Sequence, residues 1–143
     1  MKTAVLAGCR TPFLKSGTEF ATLPARELGI VAVRESLARS GLPPEEVDHL
    51  VYGTVVHDVR APNLAREVGL AVLPPTVPAW IVSRACTSAN QAIADAAGLI
   101  ETGQARVVVA GGAESLSHIP ILVSDRLSRT LVTASRGKTL GER

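Results

Sequence analysis

Residues 81–92 read IVSRACTSANQA, and this stretch decides the fold. Its apolar start predicts a buried strand, and the small residues that follow predict a tight turn. A helix rich in small residues is expected to begin at or just after Cys86. At that position, free backbone N–H groups and the helix dipole favour the thiolate over the thiol. Because the thiolate is the nucleophilic form, the stretch predicts covalent sulfur chemistry.

Composition restricts the classes of function. The 143 residues are 46% hydrophobic but only 3% aromatic, so the core must be built from Val, Leu, Ile and Ala. Proteins that bind nucleic acid by stacking bases on aromatic rings have a different composition. The net charge of +2 is too small to imply a polyanion partner. We therefore expect at most one ordinary domain and no nucleic-acid partner.

The cysteines and the N-terminus predict a reducing, cytoplasmic location. Cys9 and Cys86 are far apart, and no CxxC or His/Cys spacing suggests a metal site. The apolar run before Cys9 is too short for a signal peptide, because Arg10 interrupts it. No apolar stretch approaches the roughly 20 residues that cross a bilayer. The sequence thus predicts a soluble protein without a metal.

Apolar runs alternate with helical patterns along the chain. This alternation predicts an α/β fold with a mixed, mainly parallel sheet that helices cover. The helix after Cys86 carries five alanines, so we expect it to be central and buried. Beyond Ser117 we expect a loop with one helical stretch near residues 125–133. The expected strands are 3–9, 49–56, 76–83 and 106–110, and the expected helices are 24–41, 63–70 and 87–102.

The C-terminal tail is locally basic. Residues 125–143 contain five basic side chains against two acidic ones, which gives +3. Two interpretations remain open, a solvated segment and a segment that attracts phosphate. The basic residues are Arg126, Arg129, Arg136, Lys138 and Arg143.

Three segments together resemble the thiolase family. Residues 82–92 are similar to the thiolase nucleophile turn, and residues 109–117 are similar to its Gly-Gly-x-Glu-Ser strand end. Residues 10–13, Arg-Thr-Pro-Phe, match the loop after the first strand, and the spacing of the three segments also fits. Within the family, residues 16–18 and 88–91 are closest to the β-subunit of the fatty-acid oxidation trifunctional complex, a long-chain 3-ketoacyl-CoA thiolase.

The resemblance implies a thiolase-like βαβαβαβ half-domain. Residues 1–117 would form the thiolase N-terminal domain without its last strand. Residues 118–143 would start the inserted loop domain, a lid over coenzyme A whose phosphates the basic tail would attract. Thiolases pack two such halves with their central helices between two sheets.

The resemblance also implies an acyl transfer in fatty-acid β-oxidation, with coenzyme A as a substrate and no bound cofactor. Cys86 would attack a 3-ketoacyl-CoA, carry the shortened acyl group as a thioester, and pass it to free CoA. Its backbone N–H would form one arm of an oxyanion hole. Gly111 and Gly112 would allow close backbone approach under the nucleophile. Glu114 is either a hydrogen-bonding anchor near the site or an ordinary loop acid.

Two residues of the thiolase mechanism have no counterpart here. The second half of a thiolase carries a Gly-His-Pro histidine and a Cys-x-Gly cysteine. Proline follows none of His49, His57 and His118, and Cys9 lies in the predicted first strand, where it would fill the core. We therefore expect an N-terminal half that does not catalyse thiolysis alone and needs the C-terminal half. Expected partners are a second copy, as a homodimer or larger assembly, and a hydratase/dehydrogenase α-subunit.

Three alternatives compete with this interpretation. Cys86 is otherwise a small buried hydrophobe, the common role of free cysteine. A condensing enzyme of the same fold, acting on an acyl carrier, shares the cysteine turn. The third alternative is an inactive remnant that serves only as an interaction module.

Overall fold

The computed structural model of the chain describes residues 2–136. It contains four α-helices, three strands and two short 3₁₀ turns in that range. The helices are α1 (Ala25–Ser40), α2 (Leu64–Val72), α3 (Ser88–Glu101) and α4 (Asp125–Arg136). The strands are β1 (His49–Gly53), β2 (Ala79–Val82) and β3 (Val108–Gly112), and the 3₁₀ turns are Pro44–Glu46 and Leu116–His118.

The three strands form a parallel sheet in the order β2-β1-β3. Alternate residues of β1 face opposite sides, so Leu50 and Tyr52 contact α1 and α2, whereas Gly53 contacts α3. Leu50 and Val51 are fully buried, as expected for a central strand with helices on both faces. The predicted α/β class with a parallel sheet covered by helices is therefore confirmed.

The helix ends follow ordinary capping chemistry. The α1 helix ends where Gly41 adopts a left-handed backbone (φ 71°) and donates its N–H to Leu37 O, a conformation that suits glycine. The Asn63 side chain accepts the N–H of Arg66 at 3.0 Å and so caps α2. These ends agree with the predicted helices to within two residues.

The strand predicted over residues 3–9 is wrong. Val5 and Leu6 are 87% and 68% exposed, and no strand ladder includes this segment. An apolar run becomes a buried strand only where a neighbouring strand supplies backbone partners. Both sides of β1 are occupied, and no strand among residues 2–136 pairs with the outer edge of β2 or β3. Cys9 is consequently half-buried beside α1, where its thiol donates to Ala32 O at 3.1 Å, and does not lie within a strand.

The prediction that α3 is buried on most sides is also wrong within this chain. One face of α3 lies against the sheet and contains the buried Ser88, Ala92 and Ala96. The other face is open, and Ile93 on it is 52% exposed. A single sheet covers only one side of a helix, so small side chains serve close approach on that side alone.

The C-terminal part of the described chain is the helix α4. It confirms the helical stretch predicted near residues 125–133, and none of its residues is buried. Arg126, Arg129 and Arg136 lie on this helix, whereas Lys138 and Arg143 lie outside the described residues. Among residues 2–136, no helix has the length and apolar character of a membrane-spanning segment.

Candidate functional site

The turn between β2 and α3 presents Cys86 to solvent. The strand ends at Val82, the helix begins at Ser88, and the cysteine side chain is exposed. Ala85 has φ of 49°, and it is the one non-glycine residue with positive φ among residues 2–136. A non-glycine residue in this region is strained by about 1 kcal/mol or more. Strain of this kind persists where surrounding contacts hold it, as they do here.

Two hydroxyls hold the turn. The Ser88 hydroxyl accepts the N–H of Arg84 at 2.7 Å and donates to Ala85 O at 2.6 Å. The Thr87 hydroxyl donates to Arg84 O at 2.8 Å. Arg84 itself extends along α3, where its guanidinium donates to Gln91 Oε1 at 2.6 Å. The backbone on both sides of Ala85 is therefore fixed by side chains from the start of α3.

The start of α3 has no side-chain cap within the described part of the chain. Thr87 occupies the capping position, but its hydroxyl bonds backward to Arg84 O and not to an N–H of the helix. First-turn N–H groups without a capping acceptor carry the positive end of the helix dipole. The start of α3 therefore favours a negative charge beside this turn.

Two glycines let α3 approach the sheet. A Cβ on Gly53 would lie 2.5 Å from both Ala89 N and the Ser88 carbonyl carbon. A Cβ on Gly112 would lie 2.7 Å from Gly53 O and 3.2 Å from Ala89 Cβ. The two glycines are register partners at the ends of β1 and β3. Backbone therefore packs directly on backbone under the Cys86 turn.

The glycine that packs under α3 together with Gly112 is Gly53 and not Gly111. Sequence reasoning missed Gly53, although it ends an apolar strand just as Gly112 does. The sequence predicts Gly111 under the nucleophile, but a Cβ there would meet the ring of Tyr52 at 3.2 Å, on the opposite face of the sheet. The reason is the strand pleat, because successive residues face opposite sides.

Glu114 connects the loops that follow β3 and β1. Its Oε2 accepts the N–H of Val55 at 2.8 Å and that of Val56 at 3.2 Å. The Thr54 amide still donates to Val82 O of β2 at 3.3 Å, and the amides of Val55 and Val56 then turn to the Glu114 carboxylate, so the ladder does not continue past Thr54. Of the two roles left open for Glu114, the geometry is that of an anchor.

The rest of the Gly-Gly-x-Glu-Ser segment holds the N-terminal loop. The Ser115 hydroxyl donates to Leu23 O at 2.8 Å and lies 3.1 Å from His118 Nδ1. The Ser117 hydroxyl accepts the N–H of Gly17 at 3.0 Å. The cysteine turn and this segment thus lie beyond the carboxyl ends of β2 and β3, the two strands that flank β1 in the parallel sheet, at the edge where α/β proteins build their sites.

The histidines lie in three different places. His49 starts β1, where its ring packs edge-on against Trp80 at 5.4 Å and its buried Nδ1 has no partner among the described residues. His118 bonds to Ser115, and His57 is exposed. Within residues 2–136, none of them bonds to the Cys86 thiol, and no cluster of acidic, histidine or cysteine side chains is arranged to hold a metal ion.

Comparison with known proteins decides the family. Residues 3–140 match the family described as thiolase, N-terminal domain. The chain belongs to the thiolase family.

Similar proteins agree with this assignment. The chain is 46% identical over 143 residues to a 3-ketoacyl-CoA thiolase of Yersinia enterocolitica. The aligned region covers 99% of this chain and 33% of that protein. A 3-ketoacyl-CoA thiolase of Cronobacter sakazakii is 44% identical with the same coverage. The chain therefore spans about a third of the length of the curated relatives it matches.

Solved thiolase structures share the fold. The acetyl-CoA acetyltransferase of Bacillus anthracis superposes with a TM-score of 0.82 at 33% identity, over 85% of this chain and 31% of that one. The Acat5 thiolase of Ascaris suum, solved in complex with coenzyme A, gives 0.81 at 32% identity, over 84% of this chain and 32% of that one. The thiolase half-domain predicted from three segments is confirmed, and the catalytic roles assigned to individual residues stay predictions.

Proposed function

We propose that this chain is the nucleophile-bearing N-terminal part of a 3-ketoacyl-CoA thiolase, an acyltransferase of fatty-acid β-oxidation. The observation that carries the proposal is the position of Cys86. Its exposed thiol stands on a strained turn, two residues before the uncapped start of a helix, in a chain of the thiolase family. The relatives named 3-ketoacyl-CoA thiolase support this substrate class.

The proposed reaction has two halves. The Cys86 thiolate attacks the 3-keto carbon, and the negative charge on the carbonyl oxygen is stabilised by backbone N–H donors that include the N–H of Cys86. The bond between C2 and C3 then breaks, and its electron pair passes to C2, which takes a proton to give acetyl-CoA. The sulfur of CoA next attacks the acyl thioester and releases the Cys86 thiolate.

The C-terminal part of the protein would supply the remaining groups. The mechanism needs a base for the thiol and a proton donor for C2, and no described histidine bonds to Cys86. The open face of α3, with Asn90, Ile93 and Ala94 exposed, is the surface that would receive the second half. The proposal therefore includes inactivity of this chain alone.

The helix α4 would belong to the lid over coenzyme A. The boundary between the N-terminal domain and the lid would lie between residues 117 and 118. In the lid, α4 would place Arg126, Arg129 and Arg136 near the phosphates of CoA. A CoA complex among the similar structures supports a CoA site in the complete enzyme. If Arg126→Glu and Arg129→Glu leave the CoA affinity of the complete enzyme unchanged, this assignment of the tail is wrong.

The wider setting follows from the same proposal. We infer a homodimer or larger assembly and association with a hydratase/dehydrogenase α-subunit, as in the trifunctional type that residues 16–18 and 88–91 resemble. A reducing, cytoplasmic location agrees with two free cysteines.

The test combines this chain with the separately expressed remainder of the Yersinia enterocolitica relative. Thiolysis of a 3-ketoacyl-CoA should appear in the mixture, should be absent from each part alone, and should disappear in Cys86→Ser. Mass spectrometry should locate the acyl adduct on Cys86. An adduct on another residue, or turnover of acyl-carrier substrates in place of acyl-CoA, would contradict the proposal. If the two parts form a complex and the mixture still shows no thiolysis, the alternative of an inactive remnant that serves only as an interaction module is favoured.

A further inference from the structure

The buried hydroxyl of Ser88 lies at the centre of the cysteine turn. Ser88 is 3% exposed, and its hydroxyl bonds at once to Arg84 N and Ala85 O. The backbone N–H of Ser88 also donates to Ala85 O, at 3.1 Å. Two donors of one residue therefore converge on a single carbonyl, that of the strained Ala85.

This carbonyl belongs to the peptide whose N–H is that of Cys86. In a planar trans peptide, the C=O and the N–H point in opposite directions. Because Ser88 at the start of α3 holds Ala85 O, the N–H of Cys86 must point the other way, out of the helix. That is the direction in which a donor for a substrate oxygen is useful, since an N–H directed at the start of the helix would meet other N–H donors there and no acceptor.

We propose that Ser88 is a positioning residue for the oxyanion site, because its hydroxyl fixes the Ala85–Cys86 peptide and so aims the Cys86 N–H. The inference rests on the proposed function of Cys86. Ser88 touches no substrate in this proposal, and it acts through the orientation of one peptide plane. The alternative is a serine that only stabilises the turn.

Two reagents separate these roles. The Cys86 thiolate adds to the carbonyl of p-nitrophenyl acetate through a tetrahedral oxyanion, and p-nitrophenolate then leaves with its electron pair. The same thiolate displaces iodide from iodoacetamide in one step that creates no oxyanion. The ratio of the acylation rate to the alkylation rate therefore reports the N–H donor and cancels the thiolate fraction.

The matched variants are made in a Cys9→Ser background, so that only Cys86 reacts. Ser88→Ala removes the proposed clamp, whereas Ser88→Thr retains a hydroxyl. Thr87→Val is the control, because the Thr87 hydroxyl makes a bond of 2.8 Å in the same turn but to Arg84 O, one peptide earlier. Circular dichroism and thermal melting compare the folding of all variants.

We expect Ser88→Ala to lower the ratio of acylation rate to alkylation rate about tenfold. This loss is smaller than the roughly 10²–10³-fold loss of rate that removal of a complete oxyanion donor causes in enzymes. Ser88→Thr and Thr87→Val should keep the ratio within about twofold. A parallel loss of both rates in Ser88→Ala, or an unchanged ratio, would overturn the inference. If Ser88→Ala does not fold, a folded Ser88→Thr with a low ratio overturns it, and one with the parental ratio supports it.

The parental protein separates this inference from the proposed function. If its Cys86 shows the same ratio as glutathione, no oxyanion site exists and the nucleophile role of Cys86 loses its support together with that of Ser88. A raised parental ratio that Ser88→Ala leaves unchanged defeats the Ser88 inference alone.

Discussion

The carbonyl carbon of Ser88 lies 2.5 Å from the point that a Cβ on Gly53 would occupy. The first turn of α3 therefore rests on the last residue of the central strand with no side chain between them. Because Ser88 also holds the turn that carries Cys86, the position of the thiol depends directly on β1. Gly53, which lies 33 positions before Cys86 in the sequence, thus sets the distance of the candidate nucleophile from the sheet.

The first prediction concerns Gly53. Gly53→Ala should destabilise the fold by about 1–3 kcal/mol, because the added methyl meets backbone atoms that cannot rotate away. Gly98→Ala is the control within α3, because among residues 2–136 no atom outside its own stretch of helix lies within 4 Å of the position of a Cβ. That control should be neutral or stabilising by about 0.5–1 kcal/mol. Urea unfolding measures both, and equal effects would contradict the close approach.

The second prediction concerns Glu114. Glu114→Ala should expose the amides of Val55 and Val56, which lose their shared acceptor. Hydrogen exchange at these two amides should accelerate about tenfold, which corresponds to a hydrogen bond of roughly 1.4 kcal/mol. Glu114→Gln keeps an acceptor oxygen and should restore most of the protection. Unchanged exchange in Glu114→Ala would show that the carboxylate does not anchor this loop.

The third prediction is an acid dependence of stability at Asp48. The N–H groups of Arg106 and Val107 donate to Asp48 Oδ2 and hold the pKa of its carboxyl below its usual value. A carboxyl with a lowered folded pKa stabilises the fold fully above its unfolded pKa of about 3.9, and this contribution is lost as pH falls through the folded pKa.

Urea unfolding at several pH values tests this dependence. Asp48→Asn should lower the free energy of unfolding by on the order of 1 kcal/mol at neutral pH, a value already reduced for solvent screening. Below about pH 4, the variant should lose less stability with falling pH than the parent does. A variant with the same acid slope as the parent would rule out Asp48 as its source.

The fourth prediction concerns Tyr52, the one tyrosine of the sequence. Burial, with a smaller contribution from Cys9, raises the pKa of its hydroxyl to about 12. Its phenolate absorbance should therefore appear only near pH 12 in the folded protein and near pH 10 in denaturant. The contribution of Tyr52 to stability should be fully present below about pH 10. It should be lost as pH rises toward 12, because the hydroxyl loses its proton in the unfolded state at a lower pH than in the folded state. Titration near pH 10 without denaturant would contradict the burial of this ring.

Local patterns predicted much of the fold. Three of the four expected strands and all the expected helices are present, because each depends on short-range periodicity, caps and breakers. The exception is the apolar run over residues 3–9, since a strand depends on a neighbour that sequence periodicity does not supply. The strand predicted to reach Val56 stops at Gly53 for a related reason, because the distant Glu114 accepts the amides of Val55 and Val56.

The sequence by itself determined the family, the α/β class and the place of Cys86 between a strand and a helix, because these follow from residue order and local conformation. Only the tertiary structure decided that Gly53 and Gly112 support α3, that Gly111 faces Tyr52, and that Glu114 anchors the loop after β1. These relations join residues far apart in the chain, and each depends on which side of a pleated strand a residue faces. A shift of one position reverses that side, so distances in space, and not the residue types alone, assign each role.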